Sequence, residues 1–499
     1  MTYRTIEDIK PLPLEEFKKA FKESTGRDFV EGGDNECEVL WLSCNLEDLR
    51  YWTSVVNNPA LARTVILVVF DDATFSESLL DPGLFRQLAG PHPNNQCILQ
   101  ESKDNPSFQR DWRLQMELRA RNLGPQVLEQ MITRQYEWVR AKVEAHLDIR
   151  ENKLDKELFS QALKRNQLPN FTKVALTNLP MERFVYPRPE ELYTPPSRSP
   201  SVRNWDNEYP PGPVPRTAVQ PRNCWSWSSR DADGHLEEME QGFPPVPNKC
   251  LHLPPICAPF RLLSIILEAL RKSSKRLSEF SIVPGSDFPE RLLGSASFLT
   301  GFPMVFFLPP FIDNFRQQVS DFEWLVENLT TLRLAIGCSK IRNGESCVQF
   351  FRLLSKARKL QKLQIHIEEW SCTDPRQVLD SITSPSLEKL DLDGVEFTGH
   401  AFLSFLGRHP NLKKLSMYGC MYNGLSWWDL LMEARVTHSV LRTEELYINK
   451  AFRRDVDGQY AWNDPLELPE MSRRTGIVRW RRWMVNPSKE TFPISEGVS

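Results

Sequence analysis

The chain has 499 residues, enough for about three domains or one elongated repeat array. Hydrophobic residues make up 40% and charged residues 25%; 62 Lys and Arg against 65 Asp and Glu leave a net charge of −3, so a partner held mainly by charge, such as bulk nucleic acid, is not indicated. The longest apolar run, Val65 to Phe70, is only strand length, and the first thirty residues are charged, so neither a membrane-bound nor a secreted protein is expected.

Residues 1–36 are read as a short N-terminal helical segment. Val39-Leu40-Trp41-Leu42 then predicts a strand, followed by a helix carrying Leu46, Leu49, Trp52 and Val55 at helical spacing. Val65 to Phe70 predicts a second strand ending in Asp71-Asp72, and Phe171, Val174 and Leu176 mark a third. Between them, about 108–165, a charged stretch with helical spacing is broken once at Gly124-Pro125 and predicts an insert of two or more helices.

Fifteen of the 38 prolines fall between residues 181 and 255. Proline fixes φ and lacks a backbone donor, so neither a helix nor a central strand can run through this stretch. The expectation is an irregular connector whose aromatic residues pin it to the body; the alternative is that PPGPVP serves as a ligand for aromatic-groove domains.

From residue 256 to 450 the pattern L-x-x-L-x-L recurs, beginning at Leu277, Leu329, Leu360, Leu387 and Leu412, with a weaker copy at Thr443. Helical patterns fill the intervals, as in Cys347–Leu354 and Ala401–Leu406. Strand, loop, helix and return is the unit of an α/β leucine-rich repeat, so the expected fold is α/β, an irregular and horseshoe-like leucine-rich-repeat solenoid. Successive strand side chains point to opposite faces. Leu390 and Leu392 therefore go to the core, and the outward positions form rows on a concave face. The residues proposed to meet a protein or peptide there are Arg333, Lys362, Gln364, Lys389, Asp391, Lys414, Ser416, Tyr418 and Tyr447. The three lysines repel one another, which either an acidic partner or pairing of Lys389 with Asp391 or Asp393 relieves. The remaining residues, 451–499, form a tail in which Arg479-Trp480-Arg481-Arg482-Trp483 is read as a final strand docking its tryptophans.

Chemistry is harder to find. None of the common phosphate-loop, zincin or nucleophile-elbow motifs occurs, so no catalytic residue and no cofactor are expected. Ten cysteines include no C-x-x-C. Cys250, His252 and Cys257 come nearest to zinc spacing, with nothing downstream to complete a site, so the reading is reduced thiols in a cytoplasmic or nuclear protein.

NECEVLWLSCNLEDLRYWTSVVNNPALARTVILVVFDDATF, LPNFTKVALTNLP, the proline-rich middle, and SPSLEKLDLDGVEF with RHPNLKKLSMYGC resemble, in that order, the repeat region of filamentous-fungal F-box proteins. The resemblance spans about residues 37–450. It implies a protein-recognition scaffold like the substrate-binding part of a ubiquitin-ligase receptor. In that family an F-box of forty to fifty residues docks the ligase adaptor. Here Leu12-Pro13-Leu14-Glu15-Glu16-Phe17 resembles only its opening L-P-x-E, with Glu16 where an apolar residue belongs. The F-box is therefore read as absent or degenerate. Leu12, Pro13 and Phe17 are the candidate adaptor contacts, and a working receptor with a cryptic or truncated F-box is the alternative function.

Overall fold

The computed structural model describes residues 3–72, 75, 77–89, 124–177, 208–214, 258–282, 285–286, 299–300, 302–303, 316–337, 348–367, 377–418, 420–423, 430, 433–434, 445–449, 452–454 and 460–462. They divide into two compact units, one built mainly from residues 1–224 and one mainly from residues 299–499.

In the first unit, strands β1 (Val39–Leu42), β2 (Leu67–Asp71) and β3 (Lys173–Thr177) pair in parallel, Leu40 opposite Val68 and Val68 opposite Val174. Every residue of β2 is buried, as expected of a central parallel strand covered on both faces. Helix α1 (Leu14–Thr25) ends at Gly26, whose φ of 73° is open to glycine and closes the last turn through Gly26 N to Lys22 O. Helix α2 (Leu46–Val56) follows β1, and the short α3 (Pro59–Ala62) starts at Asn58, whose side chain accepts from Ala60 N and Leu61 N. Beyond α4 (Pro82–Ala89) come α5 (Pro125–Glu151) and α6 (Leu154–Lys164), within the span predicted to be a helical insert. Phe159 of α6 meets Trp52, Phe70 and Phe171 edge-on, with centroids 4.9–6.2 Å apart, and these rings form the centre of the core.

In the second unit, β4 (Glu279–Ile282), β5 (Thr331–Gly337), β6 (Lys362–Ile367), β7 (Lys389–Asp393), β9 (Lys414–Tyr418) and β11 (Glu445–Asn449) pair in parallel in that order. Helices α7 (Arg316–Val326), α8 (Val348–Lys356), α9 (Gln377–Ser381) and α10 (Gly399–Arg408) return the chain between strands, each packing on the next. The strand entries repeat one device: Gln361 N donates to Thr330 O, Glu388 N to Gln361 O and Lys413 N to Glu388 O, each at 2.8 Å, so each register is set one residue before its strand begins. A smaller sheet joins β8 (Glu396–Thr398), β10 (Met421–Asn423) and β12 (Phe452–Arg454) in parallel and closes antiparallel with β13 (Tyr460–Trp462).

The α/β class stands, but the leucine-rich-repeat solenoid is corrected. The described residues form an α/β arrangement of parallel strands joined by helices of very unequal length, from 4 residues in α3 to 27 in α5. A solenoid stacks near-identical units. The leucine motif requires only that a loop residue and alternate strand residues be buried beneath a returning helix, which any βα unit with one covered sheet face satisfies. Among the described residues no helix is long and apolar enough to cross a membrane.

The proline-rich stretch is described only at residues 208–214, which lie in the first unit against α5. Cys250, His252 and Cys257 and the Arg/Trp tail lie outside the described residues.

Candidate functional site

The second unit's sheet has one apolar and one polar face. Burial alternates along β6 and β7, with Leu363, Ile365, Leu390 and Leu392 covered and the residues between them part-exposed. Parallel sheets are ordinarily covered on both faces, and among the described residues the polar side chains of this face are half-buried, which makes it a candidate surface. The register sets Thr331, Lys362, Lys389, Lys414 and Glu445 side by side in one row. Arg333, Gln364, Asp391, Ser416 and Tyr447 form the next row. Tyr418 falls in the third, between Asp393 and Asn449.

Charge on this face is balanced locally. Lys389 Nζ lies 3.3 Å from Asp391, which removes one lysine from the run of three. Arg333 lies 3.5 Å from Glu279, and His366 Nδ1 lies 2.8 Å from Asp393. These pairs are part-buried, so solvent screens them less than fully exposed ones. His366 Nε2 is buried and has no hydrogen-bond partner among the described residues, whereas Lys362 is exposed. Glu279 and His366 are absent from the sequence-derived contact set. Glu279 was legible, since extending the outward row back to the Leu277 copy places it opposite Thr331. The alternation fails at one point: Leu334, Ala335 and Ile336 are all buried where the strand piece Phe302–Pro303 pairs with Ile336 and Gly337, so the third row is closed at β5.

The three candidate adaptor residues, in the first unit, have different surroundings. Pro13 is exposed and precedes α1, its carbonyl accepting from Phe17 N at 2.8 Å. Leu12 is part-buried, and its backbone N donates to Ser54 Oγ at 2.8 Å. Phe17 is corrected from surface contact to core: its ring is buried against Phe21, Phe29 and Tyr51. With Ala20, Phe21 and Ser24 it makes the inward stripe of an amphipathic helix.

A polar cluster at the carboxyl ends of β1 to β3 escaped sequence reasoning apart from its Asp71-Asp72 pair. Ser43 Oγ donates to Asp48 Oδ2 at 2.6 Å and accepts from Asn45 N at 2.9 Å; Cys44 Sγ donates to Asp155 at 3.6 Å. Asp48 and Asp155 are buried in the first turns of α2 and α6, where exposed N–H groups and the helix dipole stabilise negative charge. This network therefore has a structural role at two helix starts. Among the described residues no group of His, Cys, Asp and Glu could hold a metal ion.

No protein-family model matches the chain, and neither a curated protein nor a solved structure matches it.

Proposed function

We propose that the chain is a non-enzymatic protein-recognition scaffold and that the polar face of the second unit's parallel sheet receives a protein or peptide. The observation that supports this reading is a parallel sheet with one polar, half-buried face among the described residues, whose positions stand in register as rows of mixed charge. Because the charges are largely paired within the face, it would select a partner by shape and by local pairing at Lys362 and Gln364 rather than by a long-range field. The buried thiol of Cys37 supports a reducing compartment, cytoplasmic or nuclear. The alternative role, a ubiquitin-ligase substrate receptor, rests on exposed Pro13 and part-exposed Leu12.

The test is affinity capture with the full chain, run beside Lys362→Glu/Gln364→Lys and beside Arg63→Glu on the other unit. Partners lost only with the first variant support the sheet face; partners indifferent to it defeat the proposal. Direct titration of a purified ligase adaptor against the wild-type chain and Pro13→Glu decides the alternative. Micromolar binding abolished by the variant favours the receptor role, and no binding removes it.

A further inference from the structure

The prolines of residues 210–213 occupy a specific seat on α5. Gln135, fully buried in the middle of that helix, donates from Nε2 to Pro210 O at 3.0 Å and to Val214 O at 3.2 Å, and its Oε1 accepts from Val214 N at 3.1 Å. One turn along, the Trp138 ring meets Tyr209 edge-on at 5.5 Å, and Tyr209 OH donates back to Val214 O at 2.7 Å. Val214 is buried in a cluster with Phe75, Phe85 and Val139. A Cβ at Gly212 would overlap the Gln135 carboxamide, so a side chain there would have to displace that group from its hydrogen bonds. The contacts read the peptide through its backbone, one aromatic ring and one glycine. Proline-rich ligands are bound in this general manner, because their stiff backbone loses little entropy on docking and their carbonyls stay free to accept.

We propose that this face of α5, with Gln135 and Trp138 at its centre, is a recognition site for proline-rich segments of the form aromatic-Pro-Pro-Gly-Pro-Val in a separate protein, and that residues 209–214 are a built-in ligand that keeps it closed. The seat is independent of the sheet face proposed above. The occupant states the chemistry of the competitor: a peptide able to offer the same two carbonyls, one N–H, a ring for Trp138 and no side chain opposite Gln135. A tethered ligand competes at an effective concentration of about a millimolar, so a peptide that binds the opened chain at about 0.1 mM or tighter binds the closed one at least about tenfold more weakly.

The experiment titrates a fluorescein-labelled peptide of residues 207–215 into three full-length chains, reading anisotropy: wild type, Gly212→Val, and Gly212→Val/Gln135→Ala. Circular dichroism and thermal unfolding show whether each is folded, and light scattering reads its mass. The expected result is binding to Gly212→Val, at least tenfold weaker binding to wild type, and loss of binding in the double variant. Should Gly212→Val fail to fold, Tyr209→Ala/Pro210→Ala opens the seat without added bulk and replaces it. A folded, opened chain that does not bind the peptide overturns the proposal, as does binding that ignores Gln135. Concentration-dependent doubling of the opened chain's mass, with no peptide binding, would assign the seat to a second copy and overturn it equally.

Discussion

Phe17 of α1 and Tyr51 of α2 stack with centroids 5.7 Å apart and planes 25° apart. The relationship makes the N-terminal helix part of the first unit's core. Tyr51 is fully buried and contacts Cys37 Sγ across 3.7 Å, so one chain of contacts runs from α1 to Cys37, two residues before β1. Phe17→Ala removes a large buried ring and is expected to cost about 3–5 kcal/mol. Urea unfolding of the full chain checks this; a loss below about 1 kcal/mol would return Phe17 to the surface.

Burial also governs the Cys37 thiol, which is pushed up to about 12 by loss of solvent, against a smaller lowering by Tyr51. A thiol held protonated and covered reacts only when the structure opens. Cys37 should therefore resist alkylation at pH 8 in the native chain and react at the rate of ordinary thiols in 6 M guanidinium, as mass spectrometry of the labelled peptide will read. Prompt native labelling would contradict its burial.

Ser43 serves two partners at the start of α2, and both are left without it when its hydroxyl is removed. Ser43→Ala is expected to destabilise the first unit by about 1–3 kcal/mol, and Ser43→Thr by clearly less. Equal losses in the two variants, measured by denaturant unfolding, would show that the hydroxyl hydrogen bonds contribute little.

His409, buried at the end of α10 with Nδ1 2.8 Å from Phe405 O, is held below the ordinary imidazole value of 6.5, first by burial and also by Arg408, against a raising contribution from the Phe405 carbonyl. The unfolded chain therefore binds a proton in a pH range where the folded chain does not. This contribution to stability is full above about pH 6.5 and is lost as pH falls from there toward the depressed folded value. Unfolding free energy followed from pH 7.5 to 5 should fall less steeply in His409→Phe than in wild type. Identical slopes would remove His409 as the cause.

The strand rows were legible because two physical rules act locally. Alternation sends Lys389 and Asp391 to one face and Leu390 and Leu392 to the other, and the spacing of the leucine copies aligns Lys362, Lys389 and Lys414 in neighbouring strands. The same rules misled about architecture. They describe a single strand and its helix and carry no information on whether successive units are alike, so a solenoid was read where helices of 5 and 27 residues join parallel strands.

What the sequence by itself determined is which residues of β6 and β7 face the core, and that strands lie at Val39–Leu42 and over Leu67–Phe70. Each depends on neighbours within a few positions. Only the tertiary structure decided that Phe17 stacks on Tyr51, that Ala335 is covered, and that Gln135 grips Pro210 and Val214 across 75 and 79 positions of chain. Those outcomes turn on which distant surfaces meet. A buried glutamine or an inward phenylalanine looks, in sequence, like any polar or apolar residue on a helix; its role follows from the partner that removes it from water.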